Sequence, residues 1–196
     1  MQSTAAPASG FWLDAPGHST GKFEGSYEGT DKGAHATRVI DTLSVTRVTG
    51  EAAGVWRGAA ASPSNERTFF VLAIQRRGLC TLRQHGREAV LAQGDVALYL
   101  TALPYELAFD GAFRQTSVAI PAAPMRALSA SVEALAGVAL RGTQPQVALL
   151  GMMADCYFDT DYAALPEAAA GHAAAALRQA LAGCLLTQLG ALDAKR

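Results

Sequence analysis

The 196-residue chain has little of what most chemistry and most nucleic-acid binding require. It holds only three cysteines, Cys80, Cys156 and Cys184, an odd number and widely scattered. That pattern fits reduced thiols in a cytoplasmic protein better than a disulfide framework. Sixteen Lys and Arg against seventeen Asp and Glu leave a formal net charge of −1, so the chain lacks the basic face that neutralises phosphates in a free-standing DNA-binding domain. No apolar run is long enough to span a bilayer, and the N-terminus MQSTAAPASGFWLDAPG has neither a basic start nor an apolar signal core, so export is not expected. There is no G-x-S-x-G elbow, no CxxC pair and no carboxylate pair placed for general acid and base work. Gly17-His18-Ser19-Thr20-Gly21-Lys22 is one residue short of a phosphate loop, and Phe23 stands where the hydroxyl is needed.

What is present is hydrophobic residue. Half the residues are apolar and mean hydropathy is +0.14, which supplies a substantial core for one domain. The first 36 residues, rich in Gly, Ser, Thr and Pro, read as a flexible arm, with Phe11, Trp12, Phe23 and Tyr27 as aromatics able to dock. From 37 to 121 the apolar residues alternate. Strands are expected at 43–48, 54–58, 68–76, 79–84, 87–92, 95–100, 105–109 and 113–120, punctuated by Gly50, Gly78, Gly86, Gly94, Pro104 and Gly111. His85-Gly86 reads as a two-residue hairpin turn. Many short strands at this spacing mean a sandwich or barrel.

From 122 to 196 alanine and leucine dominate and the spacing turns helical, with helices expected at about 124–136, 145–158 and 166–192. Pro166 suits a first helical turn. Leu177, Leu181, Cys184, Leu185, Gln188 and Leu192 form one apolar stripe. The fold class is therefore α+β: an antiparallel β-barrel of jelly-roll type followed by a helical segment.

A barrel of this kind raises the question of a cupin metalloenzyme, in which two histidines and a glutamate converge on one metal. Counted from Gly78, those positions fall on Gln84, Gly86 and Val90 or Leu91, none of which offers an imidazole or carboxylate. His85 belongs at a turn tip, and His18, His35 and His172 show no ligand spacing. Asp155, Asp159 and Asp161 read as a solvated helix face. No metal or other cofactor is expected.

A barrel interior that holds a small molecule remains. By parity, Arg114 and Thr116 share a face with Val118 and Ile120, and Tyr105 lies with Leu107 and Phe109. Tyr99 falls opposite Val96, Leu98 and Leu100, and Trp56 and Arg57 lie on opposite faces of an earlier strand. These six, Trp56, Arg57, Tyr99, Tyr105, Arg114 and Thr116, are the candidate ligand contacts. An arginine in an apolar cavity needs a partner, which an anionic or hydroxylated ligand supplies.

The run Gln84-x-Gly86-Arg87, Leu91, Gly94-Asp95, Leu98, Pro104-Tyr105, Leu107 and Phe109, closed by Ile120-Pro121, resembles the N-terminal effector-binding and dimerisation domain of AraC-type bacterial transcriptional regulators. The resemblance covers roughly 40–192 and is specific over about 57–121. Gln93 stands where a proline precedes Gly-Asp in the family, Leu100 where an acidic residue is frequent, and Ala122 where a basic one follows the proline. The resemblance implies a cupin-like barrel that senses a small organic effector and a homodimer paired through the C-terminal helices, with Leu177, Leu181, Leu185 and Leu192 as the pairing stripe. DNA would be bound only through a helix-turn-helix region outside these residues. A small cupin enzyme, metal-dependent or metal-free, and a sensor-derived protein-interaction domain without ligand are the competing functions.

Overall fold

The computed structural model describes residues 25–29, 34–51, 53–58, 68–128, 131–161 and 164–193. Eleven strands are found among them: β1 (Gly25–Gly29), β2 (Ala34–Ile40), β3 (Leu43–Gly50), β4 (Gly54–Gly58), β5 (Phe69–Arg77), β6 (Cys80–Gln84), β7 (Arg87–Leu91), β8 (Val96–Leu100), β9 (Tyr105–Phe109), β10 (Phe113–Pro121) and β11 (Ala139–Leu140). The helices are α1 (Ala122–Leu128), α2 (Pro145–Asp159) and α3 (Glu167–Asp193), with a 3-10 turn at Val132–Leu135.

The strands form two sheets, in the order β1-β4-β9-β6-β7 and β11-β8-β5-β10-β3-β2, and every named pairing is antiparallel. They face one another without closing into a continuous barrel. Two expectations change here. β1 and the first three residues of β2 fall inside the stretch read as a loose arm; backbone pairing to β4 and to β3 orders them despite their polar composition. The helix expected over about 124–136 is instead α1 followed by the separate 3-10 turn. Phe11, Trp12, Phe23 and the Gly17–Lys22 segment lie outside the described residues.

The span from 84 to 109 is held by three local devices. His85 and Gly86, with φ of 55° and 71°, make the two-residue turn between β6 and β7; both central positions of such a turn need positive φ. Gln84, nearly fully buried, clamps the loop after β8: its amide donates to Leu100 O at 2.8 Å and accepts from Leu100 N at 2.8 Å. Asp95 accepts from Ala92 N at 3.2 Å, Gly142 N at 2.9 Å and Arg141 Nη1 at 2.7 Å, pinning the start of β8 to the entry of α2. Burial alone would raise the Asp95 pKa. The bonds from Gly142, Arg141 and Ala92, with the Arg141 charge, hold it below the ordinary carboxylate value instead.

Two apolar clusters share the six-stranded sheet. On one side Phe70, Leu72, Ile74, Leu98, Val118 and Ile120 pack against Met125, Val147, Leu150, Leu177, Leu181 and Leu185 of the helices. On the other, Val48, Val71, Ala73, Tyr99, Phe113 and Ala119 meet Leu82, Leu91, Leu107 and Phe109 of the second sheet. Both faces are buried, which is why β5 and β8 read as nearly unbroken apolar runs, while β10 carries Arg114, Gln115, Thr116 and Ser117 before its apolar end.

Candidate functional site: the inner face of the six-stranded sheet

The two faces of the large sheet differ in side-chain size. The helix-facing side is mostly Leu, Ile, Val and Phe, with Arg47, Arg76 and Thr116 turned to α2. Facing the second sheet, one transverse row crosses five strands with small residues only: Thr37, Thr46, Ser117, Ala73 and Ala97 are successive register partners. Side chains at paired positions share a face, so these five form a shallow floor. Aromatic pairs bound the interior: Tyr99 and Tyr105, with ring centroids 4.4 Å apart, and Phe109 stacked on Phe113 at 3.7 Å.

Polar groups enter this interior as amides and hydroxyls. Gln115 Nε2 donates to Gln75 Oε1 at 3.1 Å, Gln75 Nε2 donates to Arg77 O at 2.8 Å, and Ser117 Oγ donates to Gln115 Oε1 at 3.4 Å. Cys80 completes the group. Burial pushes its thiol up to about 12, only partly offset by a hydrogen bond with Gln115, so it stays protonated. Burial, then Tyr105 and Cys80 beside it, likewise holds the Tyr99 phenol well above its ordinary value. Among the described residues the site is therefore a neutral hydrogen-bonding surface. No group of three or more His, Cys, Asp or Glu able to hold a metal occurs among the described residues.

Of the sequence candidates, the structure brings Tyr99 and Tyr105 together in the interior. Arg114 and Thr116 are corrected. Residues 113, 115, 117 and 119 of β10 turn inward, and 114, 116, 118 and 120 turn to the helices. Parity was right, but both faces of β10 are buried, so apolar neighbours did not tell inside from outside. Arg114 is exposed and Thr116 Oγ1 reaches Asp155 Oδ1 on α2 at 3.4 Å. Trp56 is paired with Leu107 and Arg57 with Glu106; the side chains of both lie outside the described residues. Gln75, Gln115, Ser117 and Cys80 were missed. The polar residues Gln75, Gln115 and Ser117 sit in apolar strands at positions two apart or in register, the pattern that marked them.

The helix stripe is also corrected. Leu177, Leu181 and Leu185 are 0%, 0% and 3% exposed and pack into their own chain's core with Ile40, Met125 and Val147. A side chain so covered has no area left for a second copy. The side chain of Leu192 lies outside the described residues. The helices instead expose Leu149, Met152 and Cys156 on one stripe of α2, and Leu186 on α3.

Asp155 ties α2 to the outer sheet face. A β-bulge in β5, where the register with β10 slips between Arg114 and Gln115, leaves Arg76 as the extra residue on the helix side. There it pairs with Asp155 Oδ2 at 2.9 Å and donates to Gly151 O. Arg47 of β3 reaches Asp155 at 3.4 Å and Asp159 at 3.0 Å, with its guanidinium 4.1 Å from the centre of the Phe158 ring. Asp155 and Asp159 are thus anchors of the helix, not a solvated face.

Residues 25–186 match the family described as AraC-binding-like domain. The crystal structure of the AraC-like transcriptional activator CuxR superposes with a TM-score of 0.67 at 12% identity, covering 80% of this chain and 56% of that one. A cupin superfamily protein from Desulfitobacterium hafniense aligns over 46% of the chain and 78% of its own, with a TM-score of 0.38 and 11% identity. Among curated sequences, an uncharacterised protein encoded in the nit 5′ region of Bacillus sp. (strain OxB-1) is 26% identical over 137 residues, 67% of this chain and 53% of its own length. The chain thus spans about half the length of that relative. The architecture is a cupin-like α+β fold whose two sheets are not closed, and the chain belongs to the AraC-binding-like domain family.

Proposed function

We propose that this chain is the effector-sensing and dimerisation domain of an AraC-type transcriptional regulator working in the cytoplasm, a binding module with no catalytic step. The observation that carries the reading is the asymmetry of the six-stranded sheet. Its helix face carries mainly large aliphatics, while one row of its inner face, Thr37, Thr46, Ser117, Ala73 and Ala97, is small and lies between the amide group at Gln75 and Gln115 and the tyrosines at 99 and 105. Interiors of this kind, apolar with a few convergent polar groups, are where small ligands sit.

Dimerisation falls to the exposed stripe Leu149, Met152 and Cys156 of α2, with Leu186 of α3, because the buried leucine stripe is committed to the core. DNA contact would belong to a helix-turn-helix region elsewhere in the regulator, as the near-neutral charge of this chain supports. The test is a thermal-shift screen of small organic metabolites on the whole chain. A saturable rise in Tm with one chemical series supports sensing, and a flat response across neutral, anionic and cationic metabolites speaks for a packed interaction domain.

A further inference from the structure

We propose that the bulge in β5 builds an anion site on the helix side of the six-stranded sheet, where Arg76, Arg77 and Arg114 take a phosphoryl group, carried by free phosphate or by a small phosphomonoester. The site lies across the sheet from the small-residue row and goes beyond the sensing role, on which it does not depend.

The strand register brings these guanidinium groups to one point. Where the pairing of β5 with β10 slips, Arg76 and Arg77 both oppose Arg114. Arg47 lies diagonal to Arg114 on the same face, because Arg114 pairs with Thr49 and Thr116 with Arg47. Like charges facing one another across a sheet are destabilising unless something offsets them. The carboxylates nearby do so only in part. Asp155 gives Oδ2 to Arg76 at 2.9 Å, and Oδ1 to Arg47 and the Thr116 hydroxyl, both at 3.4 Å. Asp159 turns both oxygens to Arg47, at 3.0 and 3.5 Å. Glu51 comes no closer to Arg77 than 4.0 Å, and both side chains are more than half exposed, so that pair is weak. Arg114 is exposed and makes no ion pair or hydrogen bond among the described residues. Arg76 Nε is buried and lacks a hydrogen-bond partner as well. Donors thus outnumber acceptors at the bulge. Burial lowers the Arg76 pKa, Asp155 pulls it back, and the charges of Arg47 and Arg114 lower it further.

A phosphoryl dianion suits this imbalance. Guanidinium forks bind oxyanions bidentately, and a phosphoryl group offers three terminal oxygens where a carboxylate offers two. The approach is open from β2, which sets the exposed Ala34 and Ala36 beside Thr49 and Arg47.

The test titrates the whole chain with inorganic phosphate and with phenyl phosphate at about pH 8, where phosphoryl groups are dianions, with acetate and chloride at matched ionic strength as controls. Calorimetry and thermal shift are read together. Saturable binding at least about tenfold tighter than that of acetate is expected, with Tm rising in step. Arg114→Gln, at an exposed side chain, is expected to weaken this binding at least about tenfold while unfolding stays cooperative. Arg83→Gln, on the outer face of the second sheet, is expected to leave it unchanged. Tighter binding of the ester than of phosphate identifies a small phosphomonoester as the source, and equal or weaker binding of the ester identifies free phosphate. A Tm rise without saturable heat that survives Arg114→Gln is exclusion of salt from the protein surface and overturns the site. Saturable binding that survives Arg114→Gln, an equal loss with Arg83→Gln, a response no stronger than that to acetate, or no binding of either probe overturns it too.

Discussion

Thr116 and Ser117 are neighbours in β10 that serve opposite sides of the same sheet. Thr116 Oγ1 lies 3.4 Å from Asp155 on α2, and Ser117 Oγ lies 3.4 Å from the Gln115 amide between the sheets. One strand therefore holds the helices with one face and lines the candidate effector site with the other. Arg114→Ala, on the helix side and exposed, is expected to change stability by less than about 0.5 kcal/mol and to leave effector binding intact. Thermal unfolding with and without a bound metabolite checks both halves of that statement.

The Gln84 clamp gives a stability prediction. Gln84→Leu keeps the bulk and leaves Leu100 N without its side-chain partner and Leu100 O without its amide donor. Loss of buried partners costs about 1–3 kcal/mol for each group left unsatisfied, so the variant is expected to lose at least about 2 kcal/mol in urea unfolding. Wild-type stability in this variant would remove the clamp from the account.

Glycine at 142 is demanded by packing. A Cβ there would stand 2.5 Å from the C and O atoms of Gly94, both backbone. Gly142→Ala is expected to separate the Asp95 loop from the α2 entry and lower Tm by several degrees, whereas Gly86→Ala meets no neighbouring atom and suffers only from its positive φ.

Asp95 sets a pH dependence. Its folded pKa lies below the ordinary 3.8, so the unfolded chain takes up the proton first as the pH falls. The stability it contributes is complete above that ordinary value and is lost as the pH drops through the folded one. Asp95→Asn is expected to be less stable than wild type at pH 7, and the gap is expected to narrow below about pH 4. A gap that stays constant between pH 7 and pH 3 contradicts the assignment.

The two helix stripes predict opposite outcomes. Leu181→Asp buries a charge in the core and is expected to abolish folding. Leu149→Asp with Met152→Asp is expected to leave a folded monomer, because both side chains are about half exposed or more, at 50% and 58%. Light scattering coupled to size exclusion reads the mass. An unchanged dimer in the double variant removes this stripe as the interface.

Much of this was legible in the sequence for physical reasons. The hairpin at His85-Gly86, the break at Gly94 and the strands around them follow from turn chemistry and period-two alternation, and α2 and α3 match their expected spans within one residue. The side of β10 that faces the second sheet was not legible. Alternation marks one buried face, but here both are buried, and only the register with β3 and β5 shows that 115, 117 and 119 look toward the second sheet. The same ambiguity hid the role of Leu177, Leu181 and Leu185, since an apolar stripe on a helix reads alike whether its own sheet or a second copy covers it. The strands at 25–29 and 34–40 were missed because they are held by backbone pairing, which Gly, Ser and Thr satisfy as well as valine does.

The central claim is that the effector lies over the small-residue row. The most direct measurement is titration of the best hit from the metabolite screen against wild type, Ser117→Leu and Arg114→Ala by isothermal calorimetry. Filling the floor at Ser117 overpacks the interior at about 1–3 kcal/mol of stability and is expected to abolish binding while the chain remains folded. Arg114→Ala is expected to bind as wild type does. Binding that survives Ser117→Leu, or that vanishes with Arg114→Ala, would place the effector elsewhere and contradict the account.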